Sequence, residues 1–366
     1  MISRLKKLKS DPILGLVAKY KKDIRPNKIN LTVGEFINNN ETYKFNCIKK
    51  IEQTFDISYK YLPITGCLEF IENSRKFVFN ETNNLLGYQT LSGTGSLWLA
   101  NQILKIVGLN EIVISNITWP NHHQIFNVKD TYNQYDINSL FTRIEKGYSE
   151  VFLFQTCCHN PTGIDYIEEE WNEIFKRIKR YNHIVILDNA YQGLASGNPS
   201  IDNYSIRLCN EMNIPFIVCS SYAKNFGLYN QRLGNLFTNF NVENLDDYVK
   251  KIIRTTYSNP PSFGTLVFNK VYLENYNDWS KECKELVDDI NIKRNILYNK
   301  LSDNNIIWDN LKEGNGLFYL TPLNENQIDG AGGDWHHPDA LTPGSSLRDP
   351  IPVGPAENHD GEGDNG

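Results

Sequence analysis

The chain has 366 residues, of which 40% are hydrophobic and 22% charged, a composition typical of a soluble globular protein large enough for two domains. No apolar run is long enough to cross a membrane, so we expect no membrane partner. The formal net charge is −6, and all of it comes from the acidic stretch after residue 329. The remaining body is neutral, which leaves no electrostatic reason to expect nucleic acid as a partner.

Cysteine usage indicates a reducing compartment. The seven cysteines are odd in number, irregularly spaced and without a CxxC motif, so neither a disulfide framework nor a metal site is expected. The basic start MISRLKKLKS lacks the apolar or Arg/Ser-rich character of a targeting segment. Together these features predict a cytoplasmic protein with reduced thiols.

Strands and helices alternate along the body of the chain. Continuous apolar runs predict strands at 111–115, 150–156, 183–188, 215–221 and 234–240. An amphipathic helix separates the second run from the third, and a long helix over 279–301 precedes a strand at 317–323. This alternation predicts an α/β fold with a mostly parallel sheet covered by helices.

The amphipathic helix IEEEWNEIFKRIKRY has a clear apolar face. Four residues recur at helical spacing on that face: Trp171, Ile174, Phe175 and Ile178. Asp165 and Glu168 resemble a capping box ahead of it. The sequence therefore predicts that this helix packs one face on the sheet.

The composition changes abruptly after residue 329. Residues 330–366 contain no Lys or Tyr and are rich in Gly, Pro and Asp. Such a segment buries too little apolar area to offset its ordering entropy, so we predict disorder. Two explanations stay open, a natural acidic tail and a frameshift or similar sequence artefact.

A glycine-bearing turn opens the helix in TLSGTGSLWLANQILKIVG. Ser92, Gly93 and Thr94 would present free backbone N–H groups and hydroxyls, which together with the helix dipole favour a phosphate. Turns of this kind more often only cap a buried helix. The motif alone is therefore a weak signal.

Several polar residues follow strand ends, where active sites of open α/β sheets collect. Asp188 ends the run HIVILD and Tyr191 follows it, while Asn160 lies in CCHNPTG and Trp119 in NITWPNHH. Each has an ordinary structural explanation as a turn carboxylate, a turn former or a core aromatic. The functional alternative is a set of partners for an aromatic ring that carries a protonated nitrogen and an oxygen.

Lys224 follows the apolar run PFIVCSS, and Arg232 comes eight residues later. Most lysines are solvated, but a lysine at the exit of a buried strand is placed for a lowered pKa and for Schiff-base chemistry. Arg232 could bind a phosphate through its planar fork. A phosphate cradle, an aromatic plate, a carboxylate and a lysine are together what pyridoxal 5′-phosphate requires.

The motifs YLPITG, LSGTGSLWLA, TWPNH, HNPTG, DNAYQGLASG, SYAKNFGLYNQRLGNL and RTTYSNPP carry a family resemblance. The chain resembles class I aminotransferases of the aspartate aminotransferase subgroup, a fold-type-I pyridoxal phosphate family, from residue 11 to about 329. The resemblance implies a mostly parallel seven-stranded sheet between helices and a small domain built from both chain ends. It also implies an N-terminal arm and small-domain segment (1–37), a large cofactor-binding domain (38–288), a partial small domain (289–329) and an unrelated tail (330–366).

The resemblance also implies residue roles. Lys224 matches the Schiff-base lysine. Asp188 matches the carboxylate that binds the ring nitrogen, and His122 matches the residue that supports this carboxylate. Tyr191 matches the phenol that donates a hydrogen bond to the ring oxygen. The other implied cofactor contacts are Asn160, Trp119, Ser92, Gly93, Thr94, Ser221 and Arg232. The implied substrate contacts are Gly34, Trp119, Asn160 and Arg254, with Phe318 beside the carboxylate site.

A homodimer with shared active sites follows from the resemblance, because Tyr61 and Arg254 match residues that reach the neighbouring subunit's site.

The sequence also departs from the family. The position of its arginine for the substrate α-carboxylate holds Gly344, and the last small-domain helices are missing. Glu35 replaces an alanine near the entrance, and Gln155 replaces a histidine behind the cofactor. We expect the Gln155 change to be mild, because an amide still forms hydrogen bonds.

The function that the resemblance implies is pyridoxal-phosphate-dependent transamination of L-aspartate with 2-oxoglutarate, by a ping-pong mechanism through Lys224. Two alternatives stay open. One is a non-catalytic cofactor-binding homologue that lacks the α-carboxylate arginine, and the other is an aromatic amino acid aminotransferase.

Overall fold

A computed structural model describes residues 20–26, 34–38, 41–55, 58, 60–80 and 85–320. The predicted tail at 330–366 and most of the predicted N-terminal arm lie outside these ranges. So does Gly344, which the resemblance matches to the family's α-carboxylate arginine.

Two sheets are formed by the described residues. A small antiparallel ribbon pairs β1 (Ile37–Asn38) with β2 (Glu41–Thr42). The main sheet has seven strands in the order β3-β9-β8-β7-β6-β4-β5. Their bounds are β3 Leu86–Leu91, β4 Ile112–Ser115, β5 Val128–Tyr132, β6 Val151–Gln155, β7 Ile184–Asn189, β8 Phe216–Ser221 and β9 Leu233–Thr238.

Parallel pairing dominates the main sheet, as predicted. Only β9 runs against its neighbours, pairing antiparallel with both β8 and β3, whereas β8, β7, β6, β4 and β5 pair in parallel. The five strands predicted from apolar runs are all present within one or two residues of their predicted ends. The carboxyl ends of β6, β7 and β8 therefore meet at one edge of the sheet.

Helices cover the sheet. The shorter ones are α1 (Asn46–Glu52), α4 (Asn121–Ile125), α7 (Pro199–Asp202), α8 (Tyr204–Glu211) and α12 (Asp309–Glu313). The longer ones are α2 (Leu68–Phe79), α3 (Ser92–Ile106), α5 (Ile137–Lys146), α6 (Glu168–Arg180), α9 (Leu245–Thr256), α10 (Phe263–Glu274) and α11 (Tyr276–Asp303). Two buried apolar clusters pack them onto the sheet. The predicted α/β fold is confirmed.

Helix α6 confirms the predicted apolar face but not the predicted cap. The four predicted face residues are its buried residues. Asp165 instead accepts hydrogen bonds from the backbone N–H groups of Cys158 and His159. The Glu170 carboxylate accepts the N–H of Ile167 at 2.9 Å, so the reciprocal bond begins two residues later than predicted.

Helix α11 begins at Tyr276 and extends the predicted helix at both ends. The strand predicted at 317–323 is wrong over residues 317–320, which form no strand, and its remainder lies outside the described residues. The predicted domain boundary at 288/289 falls within this helix and stays a prediction. Among the described residues, no helix is both long and apolar enough to cross a membrane.

A buried aromatic cluster supports the turn that carries Lys224. Phe226 stacks on Trp279 of α11 with ring centroids 4.6 Å apart. The Trp279 indole N–H donates to the carbonyl of Asn225 at 3.0 Å, which satisfies its one polar atom within the core. The residues directly after Lys224 are therefore fixed by packing, and so is the starting point of its side chain.

Candidate active site

The predicted site residues converge at the carboxyl edge of β6, β7 and β8. Asp188 is in β7 beside Gln155 of β6, Ser221 ends β8, and Lys224 follows three residues later. Parallel strands bring their carboxyl ends to one edge, which is why residues far apart in sequence meet here.

A directional chain of hydrogen bonds leads to Asp188. The Gln155 amide donates to Thr118 Oγ1 at 3.3 Å, Thr118 Oγ1 lies 2.8 Å from His122 Nδ1, and His122 Nε2 lies 3.0 Å from Asp188 Oδ2. With the hydroxyl donating to Nδ1, the neutral imidazole carries its proton on Nε2 and donates it to the carboxylate. His122 is fully buried and Asp188 is 7% exposed, so the carboxylate is held rigidly.

Gln155 holds the loop that carries Asn160. Its side-chain amide donates to the Asn160 carbonyl, and its side-chain oxygen accepts the Asn160 N–H, both at 2.9 Å. The Asn160 side-chain amide lies 3.5 Å from the Tyr191 hydroxyl. The two predicted ring-oxygen partners are therefore adjacent, and Gln155 supplies the hydrogen bonds expected of it.

The Lys224 amine is half-buried and lies 5.8 Å from the centre of the Tyr191 ring. Burial lowers the pKa of Lys224, and the positive charge of Arg232 adds to this shift. The negative charges of Asp188 and Glu35 act in the opposite direction. Burial also raises the pKa of Tyr191, and the Asp188 charge adds to that shift. The site thus favours a neutral amine beside a protonated phenol.

The predicted phosphate cradle is formed by two chain segments. Ser92 begins α3 in a left-handed conformation with φ of 62°, and its hydroxyl lies 3.0 Å from that of Ser221. At Gly234 of β9, an added Cβ would lie 2.6 Å from the carbonyl carbon of Ser92. Close packing of β9 under this turn therefore requires glycine and leaves the first N–H groups of α3 free to bind an anion.

Three predicted residues line the outer part of the site. Trp119 is half-buried, and its ring lies edge-on to His122 at 5.4 Å between ring centroids. Phe318 lies 6.2 Å from the Tyr191 ring. An added Cβ at Gly34 would lie 2.4 Å from Phe318 Cζ, so Gly34 and Phe318 are in direct contact.

Four other predicted residues take no part in this cluster or only border it. Tyr61 is 92% exposed and Arg254 is exposed at the end of α9. Arg232 is exposed and donates to the Tyr229 carbonyl, and Thr94 is exposed in the first turn of α3. All four side chains lie at the surface of the single chain, where Arg254 also donates to the Ser258 hydroxyl.

Sequence reasoning missed Thr118 and Tyr229. Thr118 orients His122, and its spacing of four residues before that histidine was the one available signal. Tyr229 accepts the N–H of Phe36 at 3.1 Å, a contact across 193 residues that no local pattern indicates.

Comparison with known proteins fits this geometry. The profile of the family "Aminotransferase class I and II" matches residues 26–334. The chain belongs to this family. The mitochondrial aspartate aminotransferase of Dictyostelium discoideum is 31% identical over 89% of this chain and 84% of that protein.

Two solved structures show the same fold. The aspartate aminotransferase from Saccharomyces cerevisiae cytoplasm superposes with a TM-score of 0.85, at 27% identity over 91% of each chain. The aromatic-amino-acid aminotransferase of Burkholderia pseudomallei, covalently bound to pyridoxal phosphate, has a TM-score of 0.85 at 26% identity, over 93% of this chain and 94% of that one. These likenesses bear out the predicted fold-type-I architecture.

Pyridoxal 5′-phosphate is the cofactor of this aminotransferase family, and the residues present fit it. Gly234 allows β9 to pack against the turn at Ser92, and the first N–H groups of α3 are an anion site of the kind that a phosphate needs. Of the two carboxylate oxygens of Asp188, Oδ2 is hydrogen-bonded to His122. Within the described part of the chain Oδ1 has no such partner, so it is available for a protonated ring nitrogen. The half-buried Lys224 amine lies within electrostatic reach of Asp188.

A pH titration tests the electrostatics of this aminotransferase site. A neutral amine reacts with an amine-selective reagent and a charged one does not. Because the pKa of Lys224 is lowered from 10.5, we expect its labelling rate in the cofactor-free protein to be half-maximal below pH 10.5. Arg232→Gln should move the midpoint up and Asp188→Asn should move it down. Peptide mass spectrometry gives the rate, and a wild-type midpoint at or above 10.5 would contradict the assignment.

Proposed function

We propose that the chain catalyses pyridoxal-phosphate-dependent transfer of the amino group of L-aspartate to 2-oxoglutarate, giving oxaloacetate and L-glutamate in two successive half-reactions. The observation that carries the proposal is the half-buried Lys224 amine, which lies 5.8 Å from the Tyr191 ring at the sheet edge that also holds Asp188 and Ser221. The 31% identity to an aspartate aminotransferase supports the choice of substrates.

In this proposal Lys224 binds the cofactor and then moves a proton. When bound, pyridoxal phosphate supplies a carbonyl that accepts amino groups and a ring that withdraws electrons. Released as a free base, Lys224 would take the proton from the substrate Cα and hold it at Nζ for delivery to the cofactor carbon. The lowered pKa of Lys224 favours the unprotonated amine that both tasks need.

Asp188 would keep a proton on the ring nitrogen. A buried carboxylate stabilises a positive charge placed against it. His122, held by Thr118, donates to the other carboxylate oxygen and prevents the side chain from rotating away. Tyr191 and Asn160 would bind the ring oxygen, and Trp119 would stack on the ring face.

Ser92, Gly93, Thr94, Ser221 and Arg232 would bind the phosphate. The first four surround the start of α3, where backbone N–H groups and hydroxyls favour a dianion. Arg232 would add a charged fork from the loop after β8. Its exposed guanidinium lies close enough to lower the pKa of Lys224, which is consistent with a shared ligand between them.

A homodimer with shared sites belongs to the proposal. Tyr61 and Arg254 are exposed in the single chain, as expected of residues that reach the site of a second copy. There Tyr61 would bind the cofactor phosphate, and Arg254 would bind the side-chain carboxylate of the substrate. Gly34 and Phe318 would border the substrate. We also propose the domain division given above. A cytoplasmic location belongs to the proposal as well, and the seven free cysteines support it. The relatives include a mitochondrial and a cytoplasmic protein.

Isotope transfer tests the function. With cofactor-loaded protein, 15N-labelled L-aspartate and 2-oxoglutarate, we expect 15N-glutamate to accumulate catalytically. A parallel reaction with 15N-phenylalanine tests the aromatic alternative, which the likeness to aromatic aminotransferases keeps open. Label transfer from phenylalanine but not aspartate would replace the proposed substrate, and transfer from neither would favour the non-catalytic homologue.

A further inference from the structure

Residues 34–36 are joined to the site at both ends. Gly34 packs directly against Phe318, whose ring contacts Tyr191. Two residues on, the Phe36 N–H donates to the Tyr229 hydroxyl at 3.1 Å. Glu35 is therefore held between two contacts with residues at the site.

The Glu35 carboxylate is itself oriented. Thr42 Oγ1 donates to Glu35 Oε2 at 2.9 Å, and the β1–β2 ribbon places Thr42 opposite Ile37, close to Glu35. The side chain is half-buried. Its negative charge reaches the reactive groups, since it acts to raise the pKa of both Lys224 and Tyr229.

We propose that Glu35 is a specificity-determining residue that disfavours substrates carrying a second carboxylate. The proposal deepens the transamination function and rests on it. In the proposed function aspartate and 2-oxoglutarate would each bring a second carboxylate to the site beside Tyr191 and Lys224, and the like charge of Glu35 would repel it. A substrate with a neutral side chain is not affected. Across roughly 10 Å, at an effective dielectric between about 25 and 50, such repulsion changes affinity by roughly 3- to 10-fold.

Charge removal tests the proposal. Glu35→Gln keeps the size of the side chain and its hydrogen bond to Thr42. We expect kcat/KM for aspartate, divided by kcat/KM for phenylalanine, to rise roughly 3- to 10-fold. Glu41→Gln is the matched control, because Glu41 is exposed on the same ribbon and is not among the charges that act on Lys224. An equal rise in both variants, or none in Glu35→Gln, would overturn the proposal.

A binding measurement separates this inference from the function itself. Isothermal calorimetry of the cofactor-loaded protein with succinate, a dicarboxylate without an amino group, needs no turnover. Glu35→Gln should bind succinate roughly 3- to 10-fold more tightly than wild type, and Glu41→Gln should not. Unchanged succinate affinity would refute the role of Glu35 even in an active enzyme. Tighter succinate binding without 15N transfer would uphold it while the proposed function fails.

Discussion

Replacing Lys224 with alanine is expected to lower kcat for transamination by roughly 10⁴-fold or more. The substitution removes the only primary amine placed, among the described residues, beside both Asp188 and Tyr191. Without it there is no group to bind the cofactor covalently or to move the substrate proton. Single-turnover kinetics with aspartate measure the effect on the chemical step directly.

Two further variants make the Lys224 test specific. Lys224→Arg keeps a positive charge but cannot act as a free base near neutral pH, so it should not restore activity. Lys176→Ala removes an exposed lysine of α6 that pairs with Glu173, and it should leave kcat unchanged. If Lys224→Ala kept more than about a tenth of the wild-type rate, the assignment of Lys224 would be wrong.

Replacing Asp188 with asparagine is expected to lower kcat by roughly 10³-fold. The amide has nearly the same shape and can still accept a hydrogen bond from His122, but it carries no charge. A ring nitrogen next to it would lose the proton that makes the cofactor an electron acceptor. Steady-state kinetics at saturating aspartate measure this loss.

Two controls apply to Asp188→Asn, a measurement of its thermal stability and a matched substitution at a second aspartate. The hydrogen bond to His122 survives in Asp188→Asn, so Tm should change by no more than a few degrees. Asp130→Asn removes a carboxylate on β5 that is remote in the sheet order and pairs with Arg143, and kcat should not change. A Tm loss large enough to unfold Asp188→Asn at the assay temperature would attribute the effect to stability instead.

The interior strands of the sheet could be predicted because they are buried on both faces. β6 and β8 are buried at every residue, which produces the continuous apolar runs that identified them. β3 and β5 lie at the two edges of the sheet. VKDTY has exposed residues at Lys129 and Thr131, and LGYQTL contains Gln89 and Thr90, which are buried with hydrogen-bond partners inside the protein. No apolar run therefore marked either strand.

The site residues also fall into a group that the sequence predicts and a group that it does not. Lys224, Asp188 and Ser221 follow or end interior strands, and topology alone brings such residues together. Tyr229 acts through a partner 193 residues away, and a single sequence carries no information on such a pair. For Thr118 the only signal was its spacing from His122. The Asp165 cap failed for a related reason, since a loop contact competed with the helix for that carboxylate.

The visible absorption spectrum of the cofactor-loaded protein tests the central claim most directly. The account predicts that L-aspartate abolishes the band of the lysine-bound cofactor and that 2-oxoglutarate then restores it, with Lys224→Ala lacking the band from the start. A band that depends on Lys224 but does not respond to aspartate or to 2-oxoglutarate would contradict the account, because the protein would then bind the cofactor without transferring an amino group.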